Sequence, residues 1–238
     1  MIIDMHVHTS RGSADSNLSP LELVEVARRV GLDGVCLTEH SGPWDKFEYN
    51  GFASQHEDLL LVPAMEVESE MGHITVFGLD RYVAGIRDPK QLRRVADNSG
   101  AFVVIAHPFR NMFHKIPYNN NLLFKDWPTQ PTTPEEAASH PIFAVVDAIE
   151  VANAGNTDDE NLFAWEVAQI LGKKVIGGSD AHSTNGLGTC VTVFPERIHT
   201  PEAFLEALHG GDFYAAADLH TGTLQPFPNG RIRTNQAS

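Results

Sequence analysis

Cysteine is scarce in this chain, which has 238 residues and two cysteines, Cys36 and Cys190. So few thiols exclude a disulfide framework and suit a reducing compartment. Long apolar runs are also lacking, so no segment is predicted to cross a membrane. The first residues lack the basic region and apolar stretch of a signal peptide. These absences predict a cytoplasmic protein with no membrane partner.

Positive charge is the second shortage, since 17 basic residues stand against 31 acidic ones and the formal net charge is −14. The chain therefore lacks the broad basic face of proteins that bind duplex nucleic acid. A mononucleotide or a short single strand stays compatible with this charge, because bound metal cations reverse the sign of the local field.

The hydrophobic content of 42% is sufficient for a sizeable core, and the length suits one large domain. Short apolar runs without alternation predict buried strands of a parallel sheet covered on both faces. These runs are residues 2–7, 34–38, 59–64, 74–79, 102–106, 145–151 and 174–177.

Helix signals lie between the predicted strands. Ser19, Pro20 and Glu22 form a helix start with a capping box, and Gly31 ends that helix. The alternation of strands and helices predicts an α/β fold, a distorted (β/α)7 barrel related to the TIM barrel, as a single domain over residues 1–220. Residues 108–133 are predicted to form a lid or binding loop, and 221–238 a polar tail. Further helices are predicted over residues 88–98, 158–171 and 201–209, with a short one starting at 133–136.

Twelve histidines are the informative feature of the composition. Many of them, together with carboxylates, stand at the ends of predicted strands, and in α/β barrels the C-terminal strand ends meet on one face. His73 precedes its strand, so it would reach the same rim if that strand ran antiparallel. In chain order the residues at strand ends are Asp4, His6, His8, His40, Glu66, His73, His107, Glu150, Asn153, Asp180 and His182.

Imidazole and carboxylate are the usual ligands of zinc, manganese and iron. Without a cation, so many of them in one pocket would be costly to desolvate. The spacing of His6 and His8 places both rings on one side of a strand. We therefore predict a centre of divalent metal ions, although any one histidine taken alone could be a hydrogen-bonded structural residue. His56, His140, His199, His209 and His220 follow no strand and are interpreted as surface or capping residues, while His114 is left unassigned.

Four segments resemble the motifs of the PHP (polymerase and histidinol phosphatase) family. They are Asp4-Met5-His6-Val7-His8-Thr9, Thr38-Glu39-His40, Ala106-His107-Pro108 and Gly178-Ser179-Asp180-Ala181-His182, and they occur in the family's order. The resemblance covers residues 1 to about 215, and it implies the same distorted seven-stranded barrel.

The resemblance also implies two or three divalent metal ions. One would be held by His6, His8, Glu66 and Asp180, and a second by Glu66, His73 and His107, with Glu66 bridging. The third would be held by Asp15, His40 and His182. Many relatives have Ser-Asp-Gly where this chain has Ser13-Ala14-Asp15-Ser16, so Asp15 departs from the pattern.

The hydrolytic chemistry of the family is attack on phosphorus by a metal-bridging hydroxide, whose pKa the metals bring towards ~7. Asp180 would relay a proton while it binds metal. Arginine is the usual forked donor to phosphate, so Arg110 is the first candidate for substrate binding and Arg11 the second. Asn153 is a further candidate. Arg11 could equally be a solvated surface residue, and Asn153 a structural one.

Four functions remain open at this point. The first is a phosphoesterase acting on a small phosphate monoester or nucleotide, and the second an exonuclease or DNA-repair phosphoesterase acting on short nucleic acid. The third is amide or lactone hydrolysis, against which stands the lack of a lysine placed to bridge metals. The fourth is a non-catalytic metal-binding domain, which would be expected to have lost ligands. The substrate, the metal and the oligomeric state cannot be derived from the sequence.

Overall fold

The computed structural model describes residues 1–115, 117–231 and 233. The helices are α1 (Pro20–Val30), α2 (Lys46–Ala53), α3 (Pro89–Ser99), α4 (Pro134–Ala138), α5 (Asp158–Leu171) and α6 (Pro201–Gly210). The strands are β1 (Ile2–Val7), β2 (Gly34–Glu39), β3 (Leu60–Ser69), β4 (Gly72–Phe77), β5 (Phe102–Ile105), β6 (Ala148–Asn153), β7 (Lys174–Gly178), β8 (Cys190–Val193), β9 (Tyr214–Ala217) and β10 (Gln225–Pro226).

The strands form one mixed sheet in the order β10-β9-β8-β1-β2-β3-β4-β5-β6-β7. Parallel pairing joins β1 to β2 and β2 to β3, and again β5 to β6 and β6 to β7. Strand β4 runs antiparallel to both of its neighbours because it follows β3 through a tight hairpin. The start of β4 therefore lies beside the end of β3, which puts His73 on the predicted rim.

The sheet departs from the predicted seven strands, because the described residues form ten. The additional strands β8, β9 and β10 are antiparallel to their neighbours, and β8 pairs with β1. They have four, four and two residues, and β9 contains three alanines. Such short segments lack the long apolar run from which the other strands were predicted. The α/β class is confirmed, whereas the (β/α)7 count is not.

The ends of β1 and β7 are joined directly, which brings the two edges of the predicted barrel together. Asp180 donates its backbone N–H to the carbonyl of His6 at 2.7 Å, and His8 donates to the carbonyl of Ala181 at 3.0 Å. The approach is so close that a Cβ on Gly178 would lie 2.5 Å from Cβ of His6. Glycine at this position therefore lets the first and seventh strands meet at the site.

Helix α1 begins and ends as predicted, with a capping box between Ser19 and Glu22 and a left-handed Gly31. The long 108–133 segment folds back onto α5 through an aromatic cluster of Phe109, Phe124 and Phe163. Of the predicted tail, residues 225–226 form β10, while Ile232 and 234–238 lie outside the described residues. Among the described residues, every helix is too short or too polar to span a membrane.

Candidate metal centre

Glu66, in the second half of β3, is the centre of the histidine cluster. Its Oε1 lies 3.1 Å from Nε2 of His107, 3.2 Å from Nδ1 of His73 and 3.5 Å from Nε2 of His6. Its Oε2 lies 3.4 Å from Nε2 of His8 and 3.3 Å from Nδ1 of His40. One buried carboxylate thus contacts imidazoles from β1, β2, β4 and β5, an arrangement that suits a bridging ligand.

Asp180, directly after β7, is the second shared carboxylate. Its Oδ1 lies 3.2 Å from Nε2 of His8 and 3.4 Å from Nε2 of His6. Its Oδ2 is 2.7 Å from Nη2 of Arg110 and faces away from those two rings. Asp180 therefore connects the histidine cluster to a guanidinium.

Asp15, His40 and His182 form the outer part of the cluster. Oδ2 of Asp15 lies 3.4 Å from Nε2 of His40 and 3.3 Å from Nε2 of His182. The rings of His40 and His182 each stack on that of His8, with centroids 4.4 and 4.3 Å apart. Asp15 is largely exposed, so this part of the site faces solvent.

Hydrogen bonds fix which ring nitrogens point inwards. Nδ1 of His6 lies 3.0 Å from Oε1 of Glu150, and a carboxylate accepts, so Nδ1 carries the hydrogen. Nδ1 of His8 lies 3.1 Å from Oγ of Ser13, and that hydroxyl already donates to Glu39 at 2.7 Å. In the neutral rings both Nε2 atoms are then bare lone pairs, and they lie 3.0 Å apart. His182 is fixed in the same sense, since its Nδ1 donates to the carbonyl of Asp180.

Two of these residues have an uncommon backbone conformation. His107 has φ of 29° and Asp180 has φ of 54°, in the left-handed region that favours glycine. Both follow a strand end, so the turn at that point aims the side chain into the cluster. Backbone strain of this kind persists where the surrounding structure holds it and is concentrated at functional sites.

Burial and the neighbouring charges have opposite effects on the pKa values of His6 and Glu66 in the cluster. Burial acts to lower the pKa of His6, but the nearby carboxylates, first of all Asp180, hold that pKa well above its usual value. Burial acts to raise the pKa of Glu66, yet the surrounding imidazoles hold it well below its usual value. The pKa of His8 is lowered, with burial as the main cause. Positive charge is therefore required at the centre of the cluster.

A divalent cation fits that requirement. The two bare Nε2 atoms of His6 and His8 would repel each other without a proton or a cation between them, and the ionised Glu66 and Asp180 need compensating charge. Nitrogen and oxygen donors of this kind suit zinc, manganese or iron. Three groups of residues could each hold an ion, because within each group the donor atoms lie within 4.8 Å of one another. The groups are His6, His8 and Asp180; His6, Glu66 and His107; and His8, His40 and His182.

All the sequence-predicted metal ligands are thus brought to one rim, although the grouping differs from the sets implied by the resemblance. His6 and His8 each contribute to two groups of donor atoms, and His8 also lies with His40 and His182. His73 and Asp15 are in none of the three groups, but each contacts a member.

The predicted substrate-binding residues differ in their position relative to the metal centre and in their burial. Arg110 lies at the edge of the cluster, where Nη2 donates to Oδ1 of Asn153 at 2.6 Å and Nε donates to Oδ1 of Asn156 at 3.1 Å. Arg11 is exposed, and both Nε and Nη2 donate to the carboxylate of Glu48. Asn153 is buried and also donates to Oε2 of Glu150 at 2.9 Å.

The supporting role of Glu39 was not predicted from the sequence. This buried carboxylate accepts hydrogen bonds from Oγ1 and N of Thr9, Oγ of Ser13 and Nε1 of Trp44. Ser13 in turn holds the ring of His8 and the backbone N–H of His40. The available signal was a glutamate directly after the apolar run 34–38, since a carboxylate at the end of a buried strand needs several donors.

Comparison with solved structures shows the fold. A two-domain protein from Bacteroides vulgatus, described as containing a predicted PHP-like metal-dependent phosphoesterase, superposes with a TM-score of 0.62 at 22% identity over 90% of this chain. A candidate metal-dependent phosphoesterase from Bifidobacterium adolescentis gives a TM-score of 0.58 at 18% identity, covering 88% of this chain and 96% of that one. A family model described as PHP-associated matches residues 158–213. Residues 158–213 thus match a PHP-associated family, and the chain shares the fold of PHP-like proteins.

The fold is also similar to that of endonuclease Q, solved with a 27-mer duplex carrying an abasic lesion, at a TM-score of 0.54 and 18% identity. That match covers 88% of this chain and 57% of the endonuclease. The chain likewise spans 64% of the length of the Bacteroides protein. No curated protein sequence matches it.

Proposed function

We propose that this chain belongs to the PHP family and is a metal-dependent phosphoesterase that hydrolyses a small phosphate monoester or nucleotide with two or three divalent ions, zinc, manganese or iron. The observation that carries the proposal is Glu66, a buried carboxylate in contact with five imidazoles. Divalent cations held there would acidify water and neutralise charge on the phosphate.

Arg110 is assigned to the phosphate. Its Nε and Nη2 are occupied by Asn156, Asn153 and Asp180. These contacts fix the plane of the guanidinium at the edge of the cluster. Among the described residues, none accepts from the N–H groups of Nη1, so this end of the fork is available for a phosphate oxygen.

Asp180 is assigned to proton transfer. In the hydrolysis, the oxygen of water forms a bond to phosphorus, the ester P–O bond breaks, and the leaving oxygen takes a proton. The imidazoles around Asp180, first of all His6, and the guanidinium of Arg110 hold its pKa well below the usual value despite burial, so the carboxylate is ionised. Asp180 passes the water's proton to the leaving oxygen in this scheme.

A phosphodiesterase acting on nucleic acid is the second candidate. Its support is the shared fold with endonuclease Q, which was solved with a duplex substrate. The net charge of −14 opposes it, because duplex binding draws most of its affinity from phosphate contacts with basic residues. The complete ligand set around Glu66 argues against a domain that only binds metal.

The deciding experiment compares p-nitrophenyl phosphate with a short single-stranded oligonucleotide and an abasic duplex. We expect the Mn²⁺-loaded protein to hydrolyse p-nitrophenyl phosphate and a chelator to stop the reaction. Cleavage confined to the oligonucleotide or the duplex would replace the first candidate with the second.

His107→Ala tests the site itself. Its ring contacts Glu66 at 3.1 Å, so the variant is expected to lose bound metal and at least ~10-fold in kcat/KM together, with the fold retained. Metal analysis, circular dichroism and steady-state kinetics measure the three quantities. The matched control is His220→Ala, an exposed histidine that belongs to none of the groups of donor atoms. Wild-type activity in His107→Ala would remove His107 from the ligand set.

A further inference from the structure

A cavity of about 400 Å³, counted with its solvent-open part, lies directly beside the metal centre. His73, His107 and Arg110 form its inner wall, so it is continuous with the site of the proposed chemistry. Its outer wall comes from the 108–133 segment, through residues 110–111 and 120–123. We propose that this cavity binds the organic group of the substrate, and that this group is an uncharged planar ring of about the size of one nucleobase. The inference rests on the proposed phosphoesterase function.

The position of the cavity relative to Arg110 supports this assignment. Arg110 both lines the cavity and contacts Asp180. A phosphate held between the metal centre and this guanidinium would direct its ester oxygen towards the cavity, because the opposite side of the phosphate is occupied by the ligand cluster.

The side chains that line the cavity favour binding of the apolar face of a ring. Ile105 and Leu123 are buried beneath the cavity, and Leu122 stands at its rim with 47% of its surface exposed. No carboxylate is found among the described residues that line it, so an amine or other cationic group would have no partner there. Burying an apolar ring against such a wall is favourable because it removes apolar surface from water.

The rim adds hydrogen-bonding groups for the edge of a ring. Among the described residues, the side-chain amides of Asn111 and Asn120 have no partner, although both line the cavity. Asn121 differs, because its amide donates to the carbonyls of Pro108 and Arg110 and accepts from Leu123 and Phe124. Asn121 therefore fastens the wall, while the other two amides are free to pair with a ligand.

The outer wall of the cavity is a packed element. The 108–133 segment is held down at Asn121 and by the contact of Phe109 with Phe124. The cavity beside Arg110 therefore has a fixed wall against which one ring can be buried. A compact phosphomonoester with one ring is the substrate class that we propose.

Binding of two non-hydrolysable phosphonates to the Mn²⁺-loaded protein tests the inference. Phenylphosphonate carries a planar ring and methylphosphonate does not, so calorimetry with both isolates the contribution of the cavity. We expect the wild type to bind phenylphosphonate about 10-fold tighter, which corresponds to about 1.4 kcal/mol. Leu122→Asn should remove this preference without adding charge, and leave the affinity for methylphosphonate and the metal content unchanged. Leu21→Asn is the matched control, since Leu21 lies on α1 and is 61% exposed.

Three results would overturn the inference: equal affinities in the wild type, a ring preference that survives Leu122→Asn, or an equal loss of both ligands in that variant. Turnover separates this inference from the proposed function. If the ring preference is present but phenyl phosphate is not hydrolysed, the cavity assignment stands and the phosphoesterase does not. If phenyl and methyl phosphate are hydrolysed with the same kcat/KM and both phosphonates bind equally, the phosphoesterase stands and the cavity assignment does not.

Discussion

At the scale of single residues, the site depends on which ring nitrogens carry hydrogen. Glu150 and Ser13 take the outer nitrogens of His6 and His8, so the inner nitrogens are left for a cation. Such outer partners orient metal-binding imidazoles and raise their basicity. The sequence shows where the histidines are, but the partner of His6 comes from a distant strand, β6, and that of His8 from the loop after β1.

Ser13→Ala tests this arrangement. The variant removes the acceptor at Nδ1 of His8, so the ring can take the other tautomer and we expect metal affinity to fall about 10-fold or more. Calorimetric titration with Mn²⁺ measures it, and Ser10→Ala, at an exposed position, is the control. An unchanged affinity would show that Ser13 does not orient His8.

Arg110→Ala and Arg11→Ala form a second test at this scale. Arg110 faces the metal centre, whereas the guanidinium of Arg11 is exposed and paired with Glu48. We expect Arg110→Ala to raise KM for p-nitrophenyl phosphate about 10-fold or more, and Arg11→Ala to change it less than about twofold. Steady-state kinetics together with metal analysis check this. Metal loss in Arg110→Ala would show that the arginine acts by holding Asp180.

At the scale of elements, the positions of the strand ends determine which side chains reach the metal centre. The seven apolar runs are found as β1 to β7, and the hairpin between β3 and β4 brings His73 beside Glu66. The strands β8, β9 and β10 were not predicted, because their short sequences do not by themselves indicate a strand. Pairing with neighbouring strands of the sheet determines their extended structure. The 108–133 loop was predicted as a lid or binding loop, and its packed form depends on aromatic contacts with α5.

His140 gives the segment before β6 a pH dependence. The imidazole caps the 3-10 turn Pro141–Ala144 by accepting from Ile142, and burial lowers its pKa to about 4. Its pKa in the unfolded chain is about 6.5, so between these values the unfolded state binds a proton that the folded state does not. The contribution of His140 to stability is therefore complete above about pH 6.5 and is lost as the pH falls towards 4.

His140→Asn keeps a capping acceptor and removes the titration. We expect the variant to lose less stability than the wild type between pH 7 and about pH 4.5, measured as urea midpoints with a chelator present. His220→Asn, at an exposed position, should behave as the wild type. Identical pH dependence in all three proteins would contradict the assignment.

At the scale of the whole molecule, the site lies where the two ends of the predicted barrel meet. Backbone bonds from His8 and Asp180 join β1 to the segment after β7, and both residues also belong to the ligand cluster. Cations bound there would therefore connect β1, β3 and the end of β7 and add to the stability of the whole fold.

Metal removal tests this coupling. With free metal at about 100 times Kd, linkage stabilises the folded state by about 2.7 kcal/mol. For a chain of this length, that corresponds to a rise in Tm of about 5–10 °C. Thermal unfolding with chelator and with saturating Mn²⁺ measures the shift, and His107→Ala should show a smaller one. A Tm that none of Mn²⁺, Zn²⁺ and Fe²⁺ raises would contradict a metal centre in this position.

The sequence by itself determined the α/β class, the seven principal strands and the identity of the residues on the rim. It could do so because buried strands require continuous apolar runs and strand ends require polar residues, and both are local properties. Only the tertiary structure decided that Glu66 contacts five imidazoles, that Arg110 is held by Asp180 and Asn153, and that a cavity opens beside them. These facts depend on distances between residues far apart in the chain, which follow from how the strands pair and how the 108–133 segment packs.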